Sequence, residues 1–131
     1  INLNINITPP SILRQGKATG KFDIFRASWI ADYANPENYF SLFYSKNHTP
    51  YGPNYTFFSN EVYDMLYEKI LYLTDDKDLN EIYNQLEDII ENYAPIVPLY
   101  YDMSVRMTQK NINGLKNNPF NILDLKSVYK K

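Results

Sequence analysis

The sequence predicts an α/β fold, with strand-like and helix-like periods taking turns along 131 residues. Three observations carry this. Apolar and polar residues alternate at the N-terminus, two long stripes of helical period fill residues 60–93, and an apolar run broken by Pro follows them. The length suits one domain and is enough to bury a real core. Hydrophobic residues make up 44% and charged residues 21%, the balance of a globular chain.

Ile1, Leu3, Ile5 and Ile7 alternate with Asn2, Asn4, Asn6 and Thr8, which predicts a half-buried strand stopped by Pro9-Pro10. Residues 11–17 predict a short helix ending at Gly16 or Gly20. Residues 22–29 are apolar on both faces apart from Asp23 and Arg26, as in the interior of a sheet covered by helices. Asn35-Pro36-Glu37 reads as a cap, a Pro at the first helical position and an acid in the first turn. Tyr39, Phe40, Phe43 and Tyr44 give that helix an apolar side, and residues 45–59 are a loop.

Ser59 or Asn60 caps a helix whose stripe is Val62, Met65, Leu66, the Lys69 stem, Ile70 and Leu73. Thr74-Asp75-Asp76 caps the next, with Leu79, Ile82, Tyr83, Leu86, Ile89, Ile90 and Tyr93 on one face until Pro95 ends it. Residues 96–101 predict a strand interrupted by Pro98, continued at Val105 to Thr108. Asn113-Gly114 is a turn, and Phe120, Ile122, Leu123, Leu125 and Val128 form a last β segment. The order is β-α-β-α-α-α-β-β.

Composition excludes several function classes. Net charge is −2 with acids and bases interleaved, without the basic stripe that nucleic acid requires. There is no Cys and one His, His48, read as a surface loop residue, so no metal site is expected. A Ser-His-Asp set and a phosphate-cradling Gly loop are both missing, which places a hydrolase last among the readings; no enzyme activity and no cofactor are expected. No apolar run approaches the ~20 residues of a membrane span. Asn6, Asn47 and Asn54 open Asn-x-Thr sequons, but 16 Asn among 131 residues produce these roughly by chance. The chain opens inside a strand-like pattern without Met, so it is expected to be the tail of a longer protein.

The run from Trp29 to Asn38 is the candidate site. Asp32 follows a strand-like segment, beside Trp29 and Tyr33 and close to a helix start. Ligands gather at the carboxyl ends of strands in open α/β sheets. A carboxylate there can grip a cation by a charge-assisted hydrogen bond, and flanking aromatics strengthen it by excluding water. The alternative is that Asp32 caps a turn. Arg26, in an otherwise apolar segment, either meets a ligand carboxylate or pairs with Asp23 or Asp64.

Four stretches, in order, resemble the C-terminal part of the family 5 extracellular solute-binding proteins, the peptide-binding components of ABC importers. They are Trp29-x-x-Asp32-Tyr33-x-x-Pro36-x-x-Tyr39 with Phe22-Asp23-Ile24 before it; Asn60-x-x-Tyr63-Asp64-x-Leu66; Ala94-Pro95-Ile96-Val97-Pro98-Leu99-Tyr100-Tyr101; and Asn113-Gly114-Leu115 with Asn118-Pro119. One departure is Asn35, where many members carry Asp.

The resemblance implies part of a periplasmic-binding-protein-like type II fold, in which two lobes close over a ligand. Residues 1–105 would be part of the ligand-gripping second lobe, and residues 106–131 the hinge return that packs on the first lobe. By the same resemblance, Asp32 holds a peptide's free N-terminal ammonium, Trp29 and Tyr33 line the slot, and Arg26 contributes to holding the ligand's C-terminal carboxylate. The expected partners are a small peptide and ABC permease subunits, with no nucleic acid. The expected location is periplasmic or cell-surface, with a lipid anchor. Self-association of the chain is expected, to cover apolar surface. The competing readings are a carbohydrate-binding module with stacking aromatics, and a family variant for nickel, haem or sugar.

Overall fold

The computed structural model describes residues 2, 4–103, 105–118, 120 and 122–131. Helix α1 spans Pro10–Ala18, α2 Glu37–Phe40, α3 Glu61–Ile70 and α4 Asp76–Tyr93, with 3-10 turns at Ser41–Phe43 and Ser45–Asn47. Strands β1 (Ile112–Asn113) and β2 (Tyr129–Lys130) form a two-stranded antiparallel ribbon that pairs Ile112 with Lys130 and Asn113 with Tyr129.

The helix ends follow their local chemistry. Pro10 sits in the first turn of α1, where a missing N–H is harmless. At its other end the Lys21 amide donates to the Gly16 carbonyl at 2.9 Å and the Gly20 amide to Lys17 at 3.3 Å. This is a Schellman closure, and Gly20 supplies its left-handed residue at φ 63°. Gly16 is buried because the Phe22 ring lies on it, leaving no room for a Cβ. Asn60 Oδ1 accepts from the Tyr63 amide at 2.9 Å and starts α3. Asp75 Oδ1 accepts from Lys77 at 2.9 Å and Asp78 at 3.3 Å and starts α4. Ala94, left-handed at φ 47°, ends α4 just before Pro95.

The core lies where α2 and its 3-10 extension meet the α3–α4 hairpin. Phe40, Phe43, Tyr63, Tyr67, Ile70, Ile82 and Leu86 are buried there, with Leu66, Leu79, Tyr83 and Ile90 packed around them. Phe40 stacks on Tyr83 with centroids 5.1 Å apart. The predicted face of α4 is the observed one at Ile82 and Leu86, while Tyr93 stands 65% exposed.

The predicted face of α3 holds at Leu66, Ile70 and Leu73 and fails toward its N-terminal end. Val62 and Met65 are 53% and 64% exposed, and Tyr63 and Tyr67 take their place inside. Tyrosine can do this when its hydroxyl finds a partner: Tyr63 donates to the Phe40 carbonyl at 2.7 Å and Tyr67 donates to Glu37.

The loop between α2 and α3 is organised by Asn54, which has no exposed surface. Its Nδ2 donates to the Tyr44 carbonyl at 3.1 Å and to the Phe58 carbonyl at 3.0 Å, and its Oδ1 accepts from Thr56 at 2.9 Å. His48, expected on the surface, is half-buried: its Nε2 lies 2.9 Å from the Phe58 carbonyl and its ring packs beside Phe57.

The predicted strands differ most from the structure. Among the described residues, neither 22–29 nor 96–101 carries a ladder, and the N-terminal alternation forms no strand. Its members Ile1 and Leu3 lie outside the described residues, as does Pro119 in the closing motif. Ile5, Ile7, Ile24 and Val97 stand 76–96% exposed. A strand exists only against a neighbour, and these segments have none here. The ribbon at the C-terminus uses residues 112–113 and 129–130, on either side of the predicted last segment at 120–128. No described helix is long and apolar enough to cross a membrane.

Candidate functional site

The turn at Asn35-Pro36 builds the site. The Asn35 side chain accepts from the Glu37 amide at 2.9 Å, and its carbonyl accepts from the Asn38 amide at 3.1 Å. Asn35 therefore does the capping expected of it, and Asp32 is left out of that role. The first turn of α2 then carries Asn38 into the interior, 3% exposed.

Asn38 gathers the candidate residues. Its Oδ1 accepts from the Trp29 indole Nε1 at 2.8 Å and from the Asp32 backbone amide at 3.3 Å. Residues 29–38 thus close into a loop around one amide oxygen. Trp29 is half-buried, and Asp32 and Tyr33 are exposed. No described residue donates a hydrogen bond to the Asp32 carboxylate.

Tyr33 ties the loop to the core through a shared acid. Its hydroxyl donates to one oxygen of Glu37, and the hydroxyl of Tyr67, from α3, donates to the other. The bond to Glu37 and then burial raise the Tyr33 pKa, while Asn38 acts against the rise. For Tyr67 burial is the larger cause and Glu37 the next. Both hydroxyls therefore hold their protons, and keep donating, well past neutral pH.

Arg26 lies apart from this loop. It is exposed, donates to the Tyr100 hydroxyl, and its guanidinium sits 5.7 Å from the centroid of that ring. Pairing with Asp23 or Asp64 is not what the structure has: Asp64 accepts from the Ser45 amide at 3.0 Å and from its hydroxyl at 2.5 Å.

No family model matches the chain. A search of curated proteins finds the periplasmic murein peptide-binding protein MppA of Escherichia coli, 31% identical over 112 residues, which are 85% of this chain and 20% of that protein. It also finds the dipeptide-binding protein DppE of Bacillus subtilis, 29% identical over 106 residues, 81% of this chain and 19% of that protein. The periplasmic oligopeptide-binding protein OppA of Salmonella typhimurium is 25% identical over 130 residues, 98% of this chain and 23% of that protein. The chain is homologous to family 5 peptide-binding proteins.

The fold agrees with the sequence. The unliganded open form of MppA superposes with a TM-score of 0.70 at 29% identity, covering 92% of this chain and 23% of that one. Over the part it spans, the chain has the periplasmic-binding-protein type II fold of this family. It spans about a fifth of the length of these curated relatives.

Against the site residues expected from the sequence, three participants are additions from the structure: Asn38, Glu37 and Tyr100. Asn38 has a signal that chemistry could have found. Trp29 has one donor and no acceptor, so a half-buried indole needs a carbonyl oxygen nearby. Asn38, in the first turn after Pro36, is the amide within reach. Glu37 read only as a helix-start acid, and its two tyrosine donors come from Tyr33 and from Tyr67, thirty positions away. Among the described residues no group of His, Cys, Asp and Glu could hold a metal ion.

Proposed function

We propose that this chain is part of the substrate-binding component of an ABC importer, capturing peptides by their free N-terminal ammonium in the periplasm or at the cell surface. The observation that carries the reading is the Asp32 carboxylate, exposed and without a hydrogen-bond donor among the described residues, beside Trp29 and Tyr33 in a loop fixed by Asn38. A carboxylate with unfilled acceptor positions suits an ammonium donor, and a bound ligand that excludes water beside the indole and the phenol strengthens that contact. Homology to proteins named for binding dipeptides, murein peptides and oligopeptides supports the ligand class.

Within this reading Trp29 and Tyr33 line the slot. Arg26, steadied by the Tyr100 ring and hydroxyl, takes the peptide's terminal carboxylate. Residues 1–105 act as part of the gripping lobe, and residues 106–131 return to the other lobe. The strand-like segments 22–29 and 96–101 then find their ladders in the remainder of a longer polypeptide, which also carries the lipid anchor and meets the permease.

Calorimetry on the full-length polypeptide tests the ligand. Short peptides are expected to bind, and their N-acetylated forms to bind at least tenfold more weakly, about 1.4 kcal/mol. Asp32→Asn is expected to lose at least the same factor, because one partner of the charged contact is gone. If acetylation and Asp32→Asn both leave affinity unchanged, the ammonium contact is wrong. Binding of a nickel complex, haem or a sugar in place of peptides would give the slot to another solute.

The same reading makes the isolated 131-residue chain sticky. Val97, Leu99, Tyr101, Met103, Val105 and Met107 are each at least 69% exposed, and an apolar strip of that length favours association. Sedimentation is expected to show oligomers whose weight rises with concentration; a monomer at high concentration would count against it.

A further inference from the structure

We infer that Asn38 is the positioning residue of this loop, locking the Trp29 indole and the Asp32 backbone into one rigid unit so that the indole cannot reorient without moving the carboxylate. The inference deepens the peptide-binding reading and rests on it for its effect on ligand, but not for its effect on the loop.

The argument starts from donors. An indole has one N–H, and a backbone amide at residue 32 has one; both need an acceptor if they are to leave water. The loop offers a single oxygen for the two, Asn38 Oδ1, at 2.8 and 3.3 Å. Asn38 is itself 3% exposed and sits in the first turn of α2, with its own amide bonded to the Asn35 carbonyl at 3.1 Å. Its oxygen is therefore fixed by the helix. Its neighbours in the chain are held from two more directions: Glu37 by Tyr33 and Tyr67, and Phe40 by stacking on Tyr83. The anchor is rigid, the two donors are nine and six residues away in sequence, and no other described acceptor serves them.

A side chain at this place acts on ligand through the neighbours it holds, Trp29 and Asp32 by hydrogen bonds and Tyr33 by its effect on that hydroxyl. A carboxylate displaced by about 1 Å from its productive position can lose on the order of a hundredfold in a geometry-dependent step. Asn38→Leu keeps the size and removes the oxygen. Asn38→Asp keeps the size and the oxygen.

The chain has one Trp, so its indole N–H gives a single assignable signal in a ¹H–¹⁵N spectrum. In the 131-residue chain that proton is expected to exchange slowly. In Asn38→Leu it is expected to exchange at least tenfold faster with a shifted resonance, and Asn38→Asp is expected to recover the original signal and rate. In the full-length polypeptide, Asn38→Leu is expected to weaken peptide binding about tenfold and Asn38→Asp to restore it. An unchanged indole resonance and exchange rate in an Asn38→Leu chain with native circular dichroism would overturn the inference. So would an Asn38→Asp chain that behaves like Asn38→Leu. These indole readouts need no ligand, so they stand even if acetylation shows that the ammonium reading is wrong. Conversely, an intact preference for free-amine peptides in Asn38→Leu would sink the positioning role and leave Asp32 as the anchor.

Discussion

Tyr63→Ala is expected to lower the unfolding free energy by about 4 kcal/mol, and Tyr63→Phe by only about 1–2 kcal/mol. Tyr63 has no exposed surface. Its ring meets Phe43 and Phe58 edge-on with centroids 6.4 and 5.6 Å away, and its hydroxyl donates to the Phe40 carbonyl at 2.7 Å. The Ala variant loses the ring and leaves a cavity where α2, α3 and the loop meet. The Phe variant keeps the packing and strands only one buried carbonyl. Urea denaturation of the two side by side, followed by circular dichroism, separates packing from hydrogen bonding. Equal losses would mean that the ring is not at the centre of the core.

Asn54→Ala is expected to cost about 3 kcal/mol, well above the typical value for replacing a polar loop residue. The reason is a count of bonds lost in a closed loop. The Tyr44 and Phe58 carbonyls each lose one of two partners, keeping the Asn47 amide at 3.0 Å and the His48 ring nitrogen at 2.9 Å, and the Thr56 hydroxyl loses its acceptor. The backbone of residue 54 is bonded as well, its amide to the Asn47 carbonyl at 2.8 Å and its carbonyl to the Thr49 amide at 3.3 Å, so the loop cannot easily move to close the gap. Asn54→Asp is expected to be as damaging, since a carboxylate has no proton for either carbonyl. Thermal or urea unfolding of the two variants checks both. A loss below about 0.5 kcal/mol, the range of ordinary surface changes, would mean that the loop holds itself without this side chain.

The helices were legible because their signals are local. Asn60 and Asp75 act as caps where the sequence placed them, and the Ile82–Leu86 face is the observed core face. The face of α3 was misplaced at Val62 and Met65 because tyrosine counts as half polar in a periodicity reading, and its burial depends on acceptors supplied from α2, 23 and 30 positions away. The strands were not recoverable for a different reason. Alternation marks a segment that can join a sheet, whereas a ladder needs a second strand, and these segments have none among the described residues. For the site, the motif named Trp29, Asp32 and Tyr33 and could not name Asn38. Its importance lies in two hydrogen bonds that exist only once residues 29–38 have closed on themselves. Arg26 was visible as a charge out of place, yet its partner Tyr100 is 74 positions on, beyond any local pattern.

The burial of Asn54 also decides what a eukaryotic secretory host would make of this chain. Asn54-Tyr55-Thr56 satisfies the N-glycosylation sequon. Oligosaccharyltransferase acts on the extended chain as it emerges, before the loop has closed. A glycan on Nδ2 would take one of the two protons that hold the Tyr44 and Phe58 carbonyls, and would set a bulky sugar where there is no solvent at all. Glycosylation and folding are mutually exclusive at this residue. Asn6, exposed near the N-terminus, could carry the same sugar without consequence.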